Sequence, residues 1–291
     1  MTQLVVRERR AERQKGERRK SPFRWLVWVA AIFFFLNLFG VIASVLANSF
    51  ATEWFDTWLP SGWTTKYYQT AWQDFQLADT LIVTMQVAVT VVVVSLIIGA
   101  PAAYVLARRE FPGKKALMLS FLLPIMVPPI TYGIPLATLL YKLHLGGTLN
   151  GVILANLVPA VPFVVLVMTP FIEQIDPKIE AAARMCGAKT WQIFTRILGP
   201  LVIPGLLAAA LLVLVQTVAL FELTFLTAGP GTQTLVVSLY YAVFASGIRP
   251  SQAISAMAVI YMLTTLVILV IALRYVSPTQ MVTQIKDNSD D

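Results

Sequence analysis

Charge is scarce in this chain. Asp, Glu, Lys and Arg make up only 13% of its 291 residues, where soluble globular domains carry about 25%. That shortfall excludes an ordinary soluble enzyme, a disordered chain and a nucleic-acid-binding domain. Cysteine occurs once, at Cys186, so an intramolecular disulfide and a multi-cysteine metal site are excluded. Histidine also occurs once, at His144, which removes most His-based catalytic and metal schemes. His144 reads as a loop residue, and Cys186 has no histidine nearby to activate it. No H-E-x-x-H and no G-x-S-x-G is present. No phosphate-binding G-x-x-x-x-G-K-[ST] is present either: Gly113-Lys114-Lys115 lacks the upstream glycine and the hydroxyl.

What is abundant is apolar. Hydrophobic residues reach 57% and the mean hydropathy is +0.73. A bilayer span needs about 20 mostly apolar residues, and six stretches qualify: Trp25–Phe50, Thr80–Ala107, Ala116–Tyr141, Gly151–Ile172, Pro200–Ala228 and Gln252–Leu273. The expected fold is an all-α polytopic membrane protein with six transmembrane helices. The first stretch follows a basic segment, and Val45-Leu46-Ala47 resembles a cleavage site. Its apolar run is far longer than the roughly 7–15 residues of a signal peptide's core, so it reads as a retained helix.

Basic residues set the orientation. Of the 22 Lys and Arg, 19 fall in the N-terminal tail, Arg108–Lys115, Glu173–Gly199 and the C-terminal tail; Lys66, Lys142 and Arg249 stand alone in the other loops. This bias puts both termini and the 173–199 loop in the cytoplasm. Anionic lipid would attract the same loops, a reading compatible with this topology. The expected organisation is a basic tail (1–24), a first helix (25–50), a Trp-rich outer loop (51–79), a five-helix core (80–273) containing the 173–199 loop, and a second cytoplasmic tail (274–291). The outer loop holds Trp54, Trp58, Trp63 and Trp72 with Glu53, Asp56, Asp74 and Asp79. It reads either as an aromatic belt at the interface or as a docking surface for an extracytoplasmic protein. Thr234–Phe244 is too short to span and reads as an interfacial or re-entrant helix.

Two features bear on activity. Prolines 124, 128, 129 and 135 interrupt the third stretch, and prolines 159, 162 and 170 the fourth. Broken helices are tolerated where they line a cavity or are buried in protein, so the third stretch is expected to face a pathway or moving interface, or to be a kinked packing helix. Glu222 is the single charged residue inside an expected span. A carboxylate there costs about 2.5–3.5 kcal/mol on insertion scales and marks a functional candidate. The alternatives are a pathway or gate role and a carboxylate that simply reaches the interface.

The basic loop is the most informative segment. Asp176-Pro177 is a good helix start, and Gly187 a natural C-terminal cap. A second short helix is expected over Thr190–Leu198, stopping near Gly199-Pro200. This loop resembles the "EAA loop" in the membrane permeases of bacterial binding-protein-dependent ABC importers. That pattern runs Glu-Ala-Ala, three residues, Gly, nine residues, Ile, one residue, Leu-Pro. Anchored on Gly187, it is matched by Ala182, Ala183, Ile197 and Pro200; the motif glutamate falls on Ala181, with Glu180 one place early, and the leucine on Gly199.

The resemblance implies a coupling helix that docks in a cleft of a separate ATP-hydrolysing subunit, and a first helix that packs on a partner. It implies two ATP-binding subunits, a second permease subunit, identical or homologous, and an extracytoplasmic solute-binding protein. ATP and Mg would be bound by those partner subunits and no cofactor by this chain, which would not itself be an enzyme. Its location would be the bacterial inner membrane. Trp58-Leu59-Pro60, Ala102 through Arg108 with Phe111-Pro-Gly113, Ile134-Pro135-Leu136 and Phe221-Glu222-Leu223 resemble maltose-type carbohydrate permeases. Ile175-Asp176-Pro177 and Val127-Pro128-Pro129 resemble polyamine permeases. Sugar or polyol is the favoured solute and polyamine the alternative. An integral-membrane enzyme would need a cluster of acids, histidines or lysines at one face, and a stand-alone ion-coupled transporter would need buried carboxylates in several spans.

Overall fold

A computed structural model describes residues 22–54, 57–244 and 249–275. Among the described residues the chain is helical apart from loops and one isolated antiparallel bridge, Ala51 to Trp63. Among these residues five helices are long and apolar enough to cross a membrane, or six where the bent pair counts as one span.

The first helix, α1 (Pro22–Phe50), is uncharged beyond Arg24 and exposes almost its whole surface: Trp25, Phe33, Phe34, Phe35 and Phe39 all point outward. The chain then folds back over the C-terminal end of this helix. The Thr64 amide donates to the Phe50 carbonyl at 2.6 Å, and Ser49 Oγ shares a hydrogen bond of 2.8 Å with the Tyr68 hydroxyl on α2 (Lys66–Asp74). A left-handed turn at Gln76, φ 47°, leads into α3 (Leu77–Arg108).

The third apolar stretch becomes two helices, α4 (Lys114–Met126) and α5 (Pro129–Lys142), bent by 95°. A residue before proline is pushed out of the α region. Pro128 and Pro129 in tandem force this on Val127 and Pro128, whose ψ angles are both 131°. The fourth stretch behaves differently. Helix α6 (Leu149–Glu173) starts at Thr148, whose hydroxyl accepts the Gly151 amide at 3.1 Å, and runs through Pro159, Pro162 and Pro170 without a break. It is the central helix. Val152, Val164, Met168 and Ile172 from α6 pack with Val87, Val91 and Ala103 from α3 and with Ala209 and Val213 further along the chain. The α3–α6 contact is close enough that a Cβ on Gly99 would stand 2.7 Å from Val164 Cγ1.

The loop after α6 forms α7 (Pro177–Met185), and α8 (Thr190–Ala219) follows. Two expectations are corrected here. Gly199-Pro200 does not end a short helix: α8 runs through it into the fifth span by a π-helical turn, Ile193–Leu198. The Gly199 amide donates to the Phe194 carbonyl, five residues back. The wider turn accommodates a proline ring that would otherwise press on the preceding turn. Gly199 suits this turn, since a Cβ would lie 2.9 Å from Phe194 O. At the other end the span stops at Ala219 rather than Ala228. Leu220 is extended, and a separate short helix, α9 (Glu222–Thr227), follows. Then come α10 (Leu235–Phe244), at the expected short apolar segment, and α11 (Ser251–Tyr275). Helix α11 packs on α1, where Asn48 Nδ2 donates to Ser255 Oγ at 2.8 Å, and on α2 and α8. The tails 1–21 and 276–291 lie outside the described residues.

Candidate functional sites at the two membrane faces

The end of α3 and the loop after α6 meet at one face. Asp176 caps α7 by accepting the Lys178 amide at 2.9 Å, with Pro177 in the first turn. The helix closes on Gly187, φ 81°, whose amide donates to the Arg184 carbonyl while Ala188 donates to Ala183. That pair of bonds is the Schellman arrangement, which favours glycine at this position. Of the residues singled out by the motif, Ala181, Ala182, Gly187 and Pro200 are exposed, and Ala183 and Ile197 are half-buried.

Glu180 is the exception, only 6% exposed. Its Oε1 accepts Arg108 Nε and its Oε2 accepts the Tyr104 hydroxyl, each at 2.8 Å. Arg108 also donates from Nη2 to the Ile175 carbonyl at 2.8 Å. The Tyr104 ring packs edge-on against Phe194 in the π-turn, with centroids 4.6 Å apart. One carboxylate therefore fastens α7 to the last turn of α3, and the same tyrosine fastens α3 to α8. Removing one member of a buried ion pair typically costs about 3–5 kcal/mol. Tyr104 and Arg108 were missed as site residues. The available signal was their i, i+4 spacing at the end of a span, beside a loop with few acids. On its opposite side α7 presents Ile179, 42% exposed, and Met185, 84% exposed; Trp191, 75% exposed, opens α8.

At the other face Glu222 occupies the first turn of α9, half-buried. It lies after the end of the spanning helix, not inside it as expected, because Leu220 breaks the helix first. Its charge stands within Coulombic reach of Tyr132 on α5. Helix α9 is held against α6 by Asn156, which donates to Thr224 Oγ1 at 3.2 Å, and against α5 at Gly133, where a Cβ would meet Leu226 at 2.8 Å. The loops on either side touch through backbone: the Gly147 amide donates to the Thr227 carbonyl at 2.9 Å, and a Cβ on Gly229 would stand 2.8 Å from Gly147 Cα. Beside Glu222 an aromatic cluster joins α9 to α10. Phe221 stacks on Phe225 at 5.1 Å, Tyr240 lies 5.0 Å from Phe221 and 4.6 Å from Phe244, and Tyr241 lies 5.8 Å from Phe225. The outer ring, Phe244, is 70% exposed. This cluster was not foreseen; the i, i+4 spacings Phe221/Phe225 and Tyr240/Phe244 were its trace. Among the described residues no group of three metal-ligating side chains exists.

Long apolar helices with a folded loop before the fifth span define a polytopic membrane protein. Residues 95–281 match the sequence profile of binding-protein-dependent transport system inner membrane components, and the chain belongs to that family. It is similar to the trehalose transport system permease protein of Mycobacterium tuberculosis, 34% identical over 54% of this chain and 57% of that one. The chain thus spans little more than half the length of this curated relative. It is also similar to the molybdenum transport system permease protein of Haemophilus influenzae, 30% identical over 58% of this chain and 81% of that one. Among solved structures, a chain of a bacterial ABC transporter involved in the import of the acidic polysaccharide alginate shares the fold. The TM-score is 0.73 at 19% identity, covering 89% of this chain and 98% of that one.

Proposed function

We propose that this chain is a permease subunit of an ATP-driven importer, carrying a sugar or polyol handed over by an extracytoplasmic binding protein. The observation that carries the solute class is the aromatic cluster beside Glu222. Aromatic faces pack on the apolar faces of sugar rings, and a carboxylate accepts hydrogen bonds from hydroxyls, strengthened by its charge. One similar protein is named for trehalose transport and another for molybdenum transport; the aromatic surface favours the first chemistry. A polyamine is the alternative, because Glu222 would also serve a cation.

In this reading the basic face with α7 is cytoplasmic, as are both termini, and the protein resides in the bacterial inner membrane. Ile179, Met185 and Trp191 form the apolar surface that enters a cleft of the ATP-hydrolysing subunit, with Ala181, Ala182 and Ala183 keeping the helix narrow. Gly187, Ile197 and Pro200 shape the turn and the helix behind it. Two such ATPase subunits bind ATP and Mg; a second permease copy or homologue completes the pathway; this chain binds no cofactor and catalyses no reaction.

Gly187→Asp tests the coupling arm. A side chain there meets no atom within 4 Å, so its cost is the left-handed backbone and the intruding charge. Association with the ATPase subunit is expected to weaken by roughly tenfold, with membrane insertion unchanged; normal association and transport reject this role. Glu222→Gln tests the solute arm in a reconstituted uptake assay. Partial activity is expected for a sugar or polyol, since an amide still bonds hydroxyls. Near-complete loss assigns a cationic solute instead, and wild-type uptake removes Glu222 from the pathway.

A further inference from the structure

Behind the Glu180–Arg108 pair lies a cavity of about 290 Å³ between the end of α3 and one side of α7. It is lined by three arginines, Arg108, Arg109 and Arg184, against a single carboxylate, Glu180. Both oxygens of that carboxylate are already occupied, by Arg108 and Tyr104. Arg108 is spent on Glu180 and the Ile175 carbonyl. Arg109 and Arg184 form no hydrogen bond or ion pair with another described residue, so the cavity holds two cations without a counter-ion among the described residues. Position 181, on the same wall, is alanine and offers no second acid.

The direction in which the cavity faces decides what it takes. Arg184 follows Glu180 by four residues and shares its side of α7, turned toward α3. Ile179, Ala182 and Cys186 occupy the opposite side of α7. Arg109 directly follows the last residue of α3, an apolar helix of 32 residues. Above it, Val105 and Ile98 continue the same helical row at four- and seven-residue steps, 47% and 50% exposed. A ligand with a phosphate head and an acyl tail matches this arrangement of two cations below an apolar track.

We propose that Arg109 and Arg184 bind the phosphate of an anionic phospholipid headgroup, whose acyl chain lies along Val105 and Ile98. The site holds whichever solute the protein carries. Because α7 forms one wall, a bound phosphate bridges α3 and α7 alongside the Glu180 latch, and the tilt of α7 becomes dependent on lipid composition. Basic pockets between helices at the cytoplasmic side of membrane proteins bind such headgroups.

The test uses the full-length chain in neutral detergent, stripped of lipid, with fluorescent phosphatidylglycerol and phosphatidylcholine as probes. Saturable phosphatidylglycerol binding is expected, weakened about 30-fold in Arg109→Gln/Arg184→Gln and unchanged in Lys142→Gln at the opposite face. Should the glutamine pair misfold, Arg109→Lys/Arg184→Lys keeps both charges and is expected to bind within about threefold of wild type. Val105→Asn is expected to weaken the lipid but leave inorganic phosphate unaffected. If phosphate alone binds saturably, is lost in the glutamine pair and displaces the lipid at equal ionic strength, the site stands with a free phosphate as its ligand. Equal phosphatidylglycerol binding by wild type and the glutamine pair overturns the proposal. Displacement of the lipid by an assembled ATPase subunit also overturns it, and gives the cavity to a carboxylate of that protein.

Discussion

Four prolines between Lys114 and Lys142 divide the chain into two helices bent by 95°, whereas three prolines between Leu149 and Glu173 leave α6 unbroken. The number of prolines does not separate the two cases; their spacing does. Pro128 and Pro129 adjoin, so two successive residues are barred from the helix and no carbonyl shift can bridge the gap. In α6 each proline stands at least three residues from the next and removes one backbone bond. Pro159 and Pro162 are buried against neighbouring helices, where the lost bond is not left facing lipid. The lesson is that a proline in a span marks a break only when its neighbours forbid a detour.

The comparison breaks most sharply at Gly99. The packing of α3 on α6 that protects the α6 prolines depends on the missing side chain, because a Cβ there meets Val164 at 2.7 Å and the Val161 carbonyl at 3.3 Å. Gly99→Val is expected to destabilise the protein by about 3 kcal/mol, the upper part of the range for overpacking, read as a lowered midpoint of thermal unfolding in detergent. An unchanged midpoint means that α3 and α6 are not packed as described.

A second change tests the tandem itself. Pro128→Ala/Pro129→Ala restores two amides and releases two residues to the helix. Spin labels at positions 117 and 141, in a Cys186→Ser background, are expected to move apart by roughly 10 Å as α4 and α5 straighten. An unaltered distance would assign the bend to the packing of α5 on α9 at Gly133 instead. The smallest effect is expected from Pro162→Ala. It regains a bond but loses a buried ring, so the unfolding midpoint should correspond to within about 1 kcal/mol of wild type, with the same label distance. A large loss here would mean that the α6 prolines are functional rather than tolerated.

The spans were legible because length and hydropathy act locally. Trp25–Phe50 and Thr80–Ala107 differ from the observed helices by three residues or fewer at either end. Asp176-Pro177 and Gly187 were legible for the same reason: capping is a property of adjacent residues. What failed was punctuation that depends on a neighbour. Gly199-Pro200 reads as a stop, yet the chain inserts a π-turn there and carries on, an outcome decided by Ile193 and Leu198 being buried in the fold. Leu220 carries no breaker, yet the fifth span ends there and leaves Glu222 at the start of a separate helix. The Glu180 latch joins residues 72 and 76 positions apart, and no local pattern reports such a distance. The aromatic cluster likewise needs α9 and α10 to be brought side by side before its rings form a surface.

The π-turn in α8 has a mechanical consequence. Since Thr190–Ala219 is one continuous rod, Trp191 and the interior residue Val213 share an axle, and no swivel at Gly199-Pro200 separates them. A push on Trp191 reaches the middle of the bilayer as torque or thrust. The compliant elements on that axle are the surplus residue of Ile193–Leu198 and the turn at Pro204, which lacks one backbone bond. Rewinding the π-turn to an ordinary α-turn turns one end relative to the other by about 100° and shifts it by about 1.5 Å. The π-turn thus gives this rod an axial rotation in addition to whatever bend Pro204 permits.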